Sequence, residues 1–281
     1  MRVTFWGVRG SIATSGLAFA KFGGNTTCLE IEAGGQRLII DAGTGIRGLG
    51  RKLSQESRML GRPSSTHLLF THLHWDHIQG FPFFEPGFAR DARLFLYGPD
   101  LEAGGSLEGA LDAQMQPPSF PIGLDAMAAE KRFYTLASGD AFRVEHVEVR
   151  CRALSHPQGC FGYRIEAGGR SICFATDVEH PDDGSVDEAL VELARDVDLL
   201  IYDAQFTPAE YEGREGPSRK GWGHSTYVAA AQAARAAGAR RLVLTHHDPT
   251  HDDATVEAIE REAQSLFTAC RAAREQLPIA V

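Results

Sequence analysis

Two stretches of the chain repeat one pattern of apolar and polar positions. Residues 28–41, CLEIEAGGQRLIID, and 161–177, FGYRIEAGGRSICFATD, each alternate, break at Gly-Gly, resume as a run of β-formers and close on aspartate. Period-two alternation with a two-glycine break predicts a hairpin. Each hairpin therefore delivers an aspartate, Asp41 or Asp177, at a strand end.

Between and after the hairpins the spacing becomes helical. Ile46 to Gln55, Val186 to Arg195 and the alanine-rich Thr226 to Ala237 predict helices, the last with Ser225 near its start and Gly238 as its stop. Short apolar strands run into the same dipeptide twice, LLFTH and LVLTH, and read as counterparts in the two halves. A further strand, Leu199 to Tyr202, ends at Asp203, and another spans Val144 to Arg152. Strands alternating with helices over two similar halves predict an α/β fold, a sandwich of two sheets faced by helices, with functional residues at strand ends around one cleft.

The stretch Phe81 to Leu136 breaks this rhythm. FPFFEPGF and QMQPPSFPIG carry prolines too dense for regular elements, so 81–136 is expected to be an irregular cover with short helical pieces, over the core edge or the substrate entrance. No linker separates two units, and a single domain is expected over 1–281.

Composition narrows the chemistry. At 281 residues with 43% hydrophobic and 23% charged side chains, the chain reads as an ordinary globular protein with a substantial core. The formal net charge of −9 argues against a broad grip on nucleic-acid polymers or anionic membranes, and leaves room for a small anionic substrate in a locally positive pocket. MRVTFWGVRG starts as a strand rather than a leader, and a cytoplasmic location is expected. Five cysteines without a CxxC pair read as small buried hydrophobes.

The stretch THLHWDH, Thr71 to His77, places four metal-grade side chains after an apolar strand. His72 and His74 alternate and point one way, while Asp76 and His77 lie on the following turn. Two pairs leaving one segment suit two adjacent ions better than one crowded ion, and imidazole suits zinc, manganese or iron. Further ligands are expected from the second half. Asp177 stands where it can bridge, His246 where it can close one shell, and His156, in ALSHPQG, is the natural third imidazole for the other.

These residues resemble the HxHxDH signature of the metallo-β-lactamase superfamily, and the order Asp41, THLHWDH, His156, Asp177, His246 is similar to that superfamily's five motifs. The resemblance implies its four-layer αββα fold, one ion on His72, His74 and His156, another on Asp76, His77 and His246, Asp177 bridging, and Asp41 supporting the histidine loop. GWGHSTYVAAAQAARAAGARRLVLTHHD resembles the stretch before the last metal histidine of ribonuclease Z and related phosphodiesterases, where His224 would contact the scissile phosphate. DLLIYDAQF resembles their HEAT segment, with Tyr202 and Asp203 at the places of its His and Glu. The RNA-gripping arm of ribonuclease Z, usually inserted between the third histidine and the bridging aspartate, is replaced here by one hairpin.

The expected function is hydrolysis of a phosphodiester, a cyclic or other small nucleotide, by a dinuclear metal-activated hydroxide. Two divalent ions are expected, Zn2+ first, with Mn2+ or Fe2+ as alternatives. Asp76, His224 and Asp203 are the expected catalytic groups, with Asp203 holding the His224 imidazolium that serves the leaving oxygen. Arg219, Lys220, Trp222 and His180 are candidate substrate contacts. The competing readings are thioester, lactone or lactam hydrolysis on the same fold, and a metal-stabilised nucleotide sensor without turnover. Neither a nucleic-acid polymer nor a membrane partner is expected; a homodimer is one option, since dimers are common among related enzymes, but the sequence does not set the oligomeric state.

Overall fold

A computed structural model describes residues 1–100 and 105–281. The first sheet begins with β1 (Arg2–Gly7), β2 (Cys28–Ala33), β3 (Gln36–Ile40), β4 (Ser65–Leu69), β5 (Arg93–Pro99) and β6 (Glu130–Leu136). The second holds β7 (Ala141–Val144), β8 (Val147–Leu154), β9 (Cys160–Ala167), β10 (Arg170–Ala175), β11 (Leu199–Asp203), β12 (Leu242–Thr245) and β13 (Cys270–Ala272). The last strand, β14 (Ile279–Ala280), returns to the first sheet beside β1. The spatial orders are β14-β1-β2-β3-β4-β5-β6 and β13-β12-β11-β10-β9-β8-β7.

Alternation along the strands explains the layering. Leu38, Ile40, Leu69, Ile172, Phe174, Ile201 and Val243 point between the sheets into one shared core. Their neighbours Ile39 and Leu68 face outward under α1 (Ile46–Leu60). Cys173, Leu200, Leu242 and Leu244 face outward on the other side, beneath α4 (Glu188–Leu193), α6 (Tyr227–Ala236) and α7 (Asp253–Leu266). The result is the expected αββα sandwich. The shorter helices are α2 (Trp75–Ile78), α3 (Leu107–Gln114) and α5 (Pro208–Tyr211). At α6 the Thr226 hydroxyl caps the start and Gly238, at φ 68, follows the end.

Three expectations need correction. The 81–136 stretch is not merely a cover: β5 and β6 extend the first sheet in parallel beyond β4, because RLFLY and KRFYTL supply β-formers between the proline clusters. Residues 101–104 of that stretch lie outside the described residues. The Val144–Arg152 strand is displaced, since the chain turns at Glu145 and His146 between β7 and β8. Finally, LLFTH and LVLTH are not positional counterparts. β4 pairs directly with the hairpin strand β3, whereas beside β10 lies β11, and β12 is one strand further out. All five cysteines are buried and free. Among the described residues no helix is long and apolar enough to cross a membrane.

Candidate metal centre

Chemistry collects at the carboxyl ends of the parallel strands, the usual place for a site in such sheets. β3 is followed by Asp41, β4 by Thr71 and His72, and β10 by Asp177, while β11 ends on Asp203 and β12 leads into His246. Asp41, Asp177 and His246 take left-handed backbone, with φ of 62, 54 and 61. For residues with a Cβ this costs on the order of 1–2 kcal/mol each, offset here by fixed hydrogen bonds. The Asp41 amide donates to the Leu69 carbonyl at 2.9 Å and the Asp177 amide to Asp203 Oδ2 at 3.0 Å. The two sheets are tied beside the site by the Phe161 amide on the Thr71 carbonyl and the Tyr163 hydroxyl on the Phe70 carbonyl.

The structure brings His72, His74 and His156 into one nest and Asp76, His77 and His246 into another, each with its ligand-grade atoms within 4.8 Å of one another. Asp177 stands between them. Its Oδ1 lies 3.7 Å from His72 Nε2 and 4.0 Å from His156 Nε2, while its Oδ2 lies 3.3 Å from His77 Nε2 and 3.5 Å from His246 Nε2. Buried His72 Nε2 and Asp177 Oδ2 have no hydrogen-bond partner. An unpaired buried polar atom is costly, and a cation among these atoms would satisfy both. The donor set fits two divalent metal ions.

Each histidine is also held from behind. His72 Nδ1 lies 3.1 Å from Thr71 Oγ1, His74 Nε2 2.8 Å from Gln158 Oε1, and His77 Nδ1 2.9 Å from Asp41 Oδ2. His156 Nδ1 donates to the Gly223 carbonyl at 2.8 Å, and His246 Nδ1 to Gln205 Oε1 at 3.0 Å. One nitrogen of every ring is thus anchored and the other turned inward, the arrangement that fixes a tautomer for metal. Asp41 also accepts the Thr71 amide and hydroxyl, both at 2.8 Å, and so braces the start of the histidine loop. Gly10 and Gly223 let backbone approach the site: a Cβ at Gly10 would stand 2.5 Å from the His246 ring and one at Gly223 2.2 Å from the His156 ring.

The electrostatics favour cations. Burial alone would raise Asp177 and Asp76, yet the surrounding imidazoles outweigh it and hold both well below the usual carboxylate range. Burial would likewise lower His77 and His246, but Asp177, Asp76 and their neighbours push His77 well up and His246 to about 9. His72, dominated by burial and facing His77, is pushed well down.

His224 borders this cluster with its Nδ1 3.0 Å from Asp203 Oδ2. Asp203 is fully buried and also accepts the amides of Asp177, Gln205 and Ser225, each at 3.0 Å. Tyr202, by contrast, points into the outer core beneath the helices. Among the candidate substrate contacts, Arg219 lies over the Trp222 ring at 4.4 Å. Lys220 is engaged by Asp182 at 3.1 Å, and His180 by Ser225 at 3.2 Å; both line a groove of about 250 Å³ that contains none of the clustered metal-ligating groups. The sequence reading omitted Gln158, Gln205, Ser11 and Glu179. Ser11 donates its amide to Asp76 Oδ2 at 2.8 Å, and Glu179 accepts the amides of Gly221 and Gly223 at 2.6 and 2.8 Å. Gln158, Gln205 and Glu179 each lie two residues beyond a candidate site residue, the only local signal they carry.

Comparison with known proteins places the chain in a family. Residues 36–247 match the family described as Beta-lactamase superfamily domain. Ribonuclease BN of Cronobacter sakazakii is 27% identical, the match covering 81% of this chain and 86% of that protein. Ribonuclease Z of a Synechococcus species is 28% identical over 100% of this chain and 98% of its own; that alignment runs to 333 positions although this chain has 281 residues. The metallo-beta-lactamase fold protein YhfI from Bacillus subtilis superimposes with a TM-score of 0.71 at 17% identity, covering 99% of both chains. The chain belongs to the metallo-β-lactamase superfamily, and within it resembles the ribonuclease Z proteins.

Proposed function

We propose that the protein is a metal-dependent phosphodiesterase acting on a small phosphodiester. The observation that carries this is Asp177, whose two oxygens face two separate three-residue nests. His72, His74 and His156 would hold one divalent ion, and Asp76, His77 and His246 the other, with Asp177 shared. When bound, such a pair supplies Lewis acidity toward a phosphoryl oxygen and makes a water nucleophilic near neutral pH.

The remaining work falls to the chain's own groups. Asp203 fixes His224 through Nδ1, which leaves Nε2 free to donate a proton to the departing oxygen or to neutralise phosphate charge. The three backbone amides on Asp203 keep that carboxylate from turning away. This pairing suits phosphodiester cleavage, in which the departing alkoxide takes up a proton. Relatives named ribonuclease Z and ribonuclease BN support phosphodiester cleavage. A small substrate is favoured because only the β9–β10 hairpin separates His156 from Asp177, and the Synechococcus relative carries segments without a counterpart here.

The test is a substrate panel of bis-p-nitrophenyl phosphate, cyclic mononucleotides, cyclic dinucleotides, a lactam and a thioester, with zinc or manganese added. Phosphodiester turnover that a chelator abolishes is expected. Turnover of the lactam or thioester with none of the phosphodiesters would overturn the reading.

A further inference from the structure

The loop before His224 carries an aromatic surface that metal binding and proton transfer do not use. Trp222 is 51% exposed although it lies two residues from His224. Exposure of a large indole is ordinarily unfavourable, and a free loop would be able to fold it away. This loop is held. Glu179 accepts the Gly221 amide on Oε1 and the Gly223 amide on Oε2, pinning the backbone on both sides of Trp222. Tyr211 donates its hydroxyl to the same carboxylate at 2.8 Å, and the Gly223 carbonyl is taken by His156.

The ring is also backed and connected to the site. The Trp222 amide donates to the Arg219 carbonyl at 3.1 Å, a turn that lays the Arg219 guanidinium 4.4 Å from the indole centroid. Phe206 meets Trp222 edge-on at 6.3 Å and His224 edge-on at 6.0 Å, filling the space between indole and imidazole. Lys220 is neutralised by Asp182, whereas Arg219 has no carboxylate partner among the described residues. A rigid, half-exposed indole, an unpaired guanidinium and a proton-donating imidazole thus lie on one short stretch.

We infer that Trp222, backed by Arg219, is a stacking platform for a planar base, so that the substrate is a nucleotide whose phosphodiester reaches His224. The inference rests on the phosphodiesterase reading and narrows its substrate class. A base stacks on indole without regard to its identity. Arg219 offers N–H groups to phosphate or base edge while its plane stays on the ring.

The experiment uses the metal-loaded full chain. KM and kcat are measured for a 2′,3′-cyclic nucleotide and for the matching cyclic ribose phosphate that lacks the base, and quenching of tryptophan emission is followed as a nucleoside monophosphate is added. Trp222→Ala should raise KM for the base-bearing substrate about tenfold, leave its kcat and the base-less KM nearly unchanged, and remove the quench; Trp222→Phe should restore most of the affinity. An equal effect on both substrates, or quenching that persists in Trp222→Ala, would overturn the platform. If the wild type hydrolyses neither substrate, the phosphodiesterase reading fails, and the platform is then decided by the quench alone: its loss in Trp222→Ala supports it and its absence in the wild type refutes it.

Discussion

Asp41 and Asp177 close equivalent Gly-Gly hairpins in the same left-handed backbone conformation, yet their carboxylates face different tasks. Asp41 is spent on protein donors: the Thr71 amide and hydroxyl and His77 Nδ1. Asp177 accepts no protein donor on the buried Oδ2 and turns both oxygens toward ring nitrogens of the two nests. One motif used twice therefore yields one brace and one carboxylate turned toward both nests.

That contrast predicts different losses. Asparagine tolerates left-handed backbone, so Asp→Asn changes charge with little backbone strain. Asp177→Asn should release metal and lower turnover by at least about a hundredfold. Asp41→Asn should lower the melting temperature of the metal-free protein as well, because its buried NH2 then faces either the Thr71 amide or the Thr71 hydroxyl and His77 Nδ1, at a cost of about 1–3 kcal/mol. Metal content by elemental analysis and unfolding of the metal-free chain separate the two; retention of both ions in Asp177→Asn would remove the bridge.

His224 and Asp203 predict a second contrast. His224→Ala should reduce kcat about 10²- to 10⁴-fold with both ions retained, since its Nδ1 is committed to Asp203 and it lies outside the two nests. Asp203→Asn should do more, for its NH2 group also opposes either the Asp177 amide or the amides of Gln205 and Ser225. Stability and metal content should both fall in that variant. Unchanged turnover in His224→Ala would return this histidine to a packing role.

The aspartates, THLHWDH, His156, Asp203 and GHST were legible because each stands in a short stretch with its own pattern. Period-two strands fixed where the chain turns, and turns at strand ends are where a side chain escapes the core. What was not legible depends on contacts between distant segments. Gln158 and Gln205 look like ordinary loop residues until His74 and His246 approach them. Lys220 looks like a free cation until Asp182 is placed beside it. β5 and β6 were hidden by the flanking prolines, whose effect on the chain is local while the edge they extend is set by β4. The counterpart of LLFTH was misplaced because sequence similarity does not report which strand enters the sheet next to which.

A pH prediction follows from His67, remote from the site. It stacks on Phe95 at 4.6 Å and meets the Tyr97 hydroxyl at 3.1 Å, and burial lowers its pKa to about 4. The unfolded chain binds this proton near pH 6.5 and the folded chain near 4, so the neutral ring contributes full stability above about pH 6.5 and loses it as pH falls toward 4. His67→Phe keeps a stacking ring without the titration. Melting midpoints of variant and wild type should therefore draw apart in the variant's favour between pH 6.5 and 4, relative to their difference at pH 7.5. A difference that stays constant across that range would show that His67 does not couple to folding.

Glu179 offers the remaining test, because it links the loop of Trp222 to the His156 nest without touching either nest directly. Its two oxygens hold Gly221 and Gly223, and the Gly223 carbonyl in turn fixes His156 Nδ1 so that Nε2 faces inward. Glu179→Gln presents an NH2 group to at least one of these donors, which frees the loop and loosens the ring. Metal affinity should weaken about 10- to 100-fold, the usual effect of removing a group that orients a ligand. The Tyr211 hydroxyl loses part of its partner as well, so the melting temperature of the metal-free chain serves as the control for general damage. Weaker metal retention at nearly constant metal-free stability identifies a positioning residue. Unaltered metal affinity, read by competition with a chromogenic chelator, would separate the loop from the metal centre.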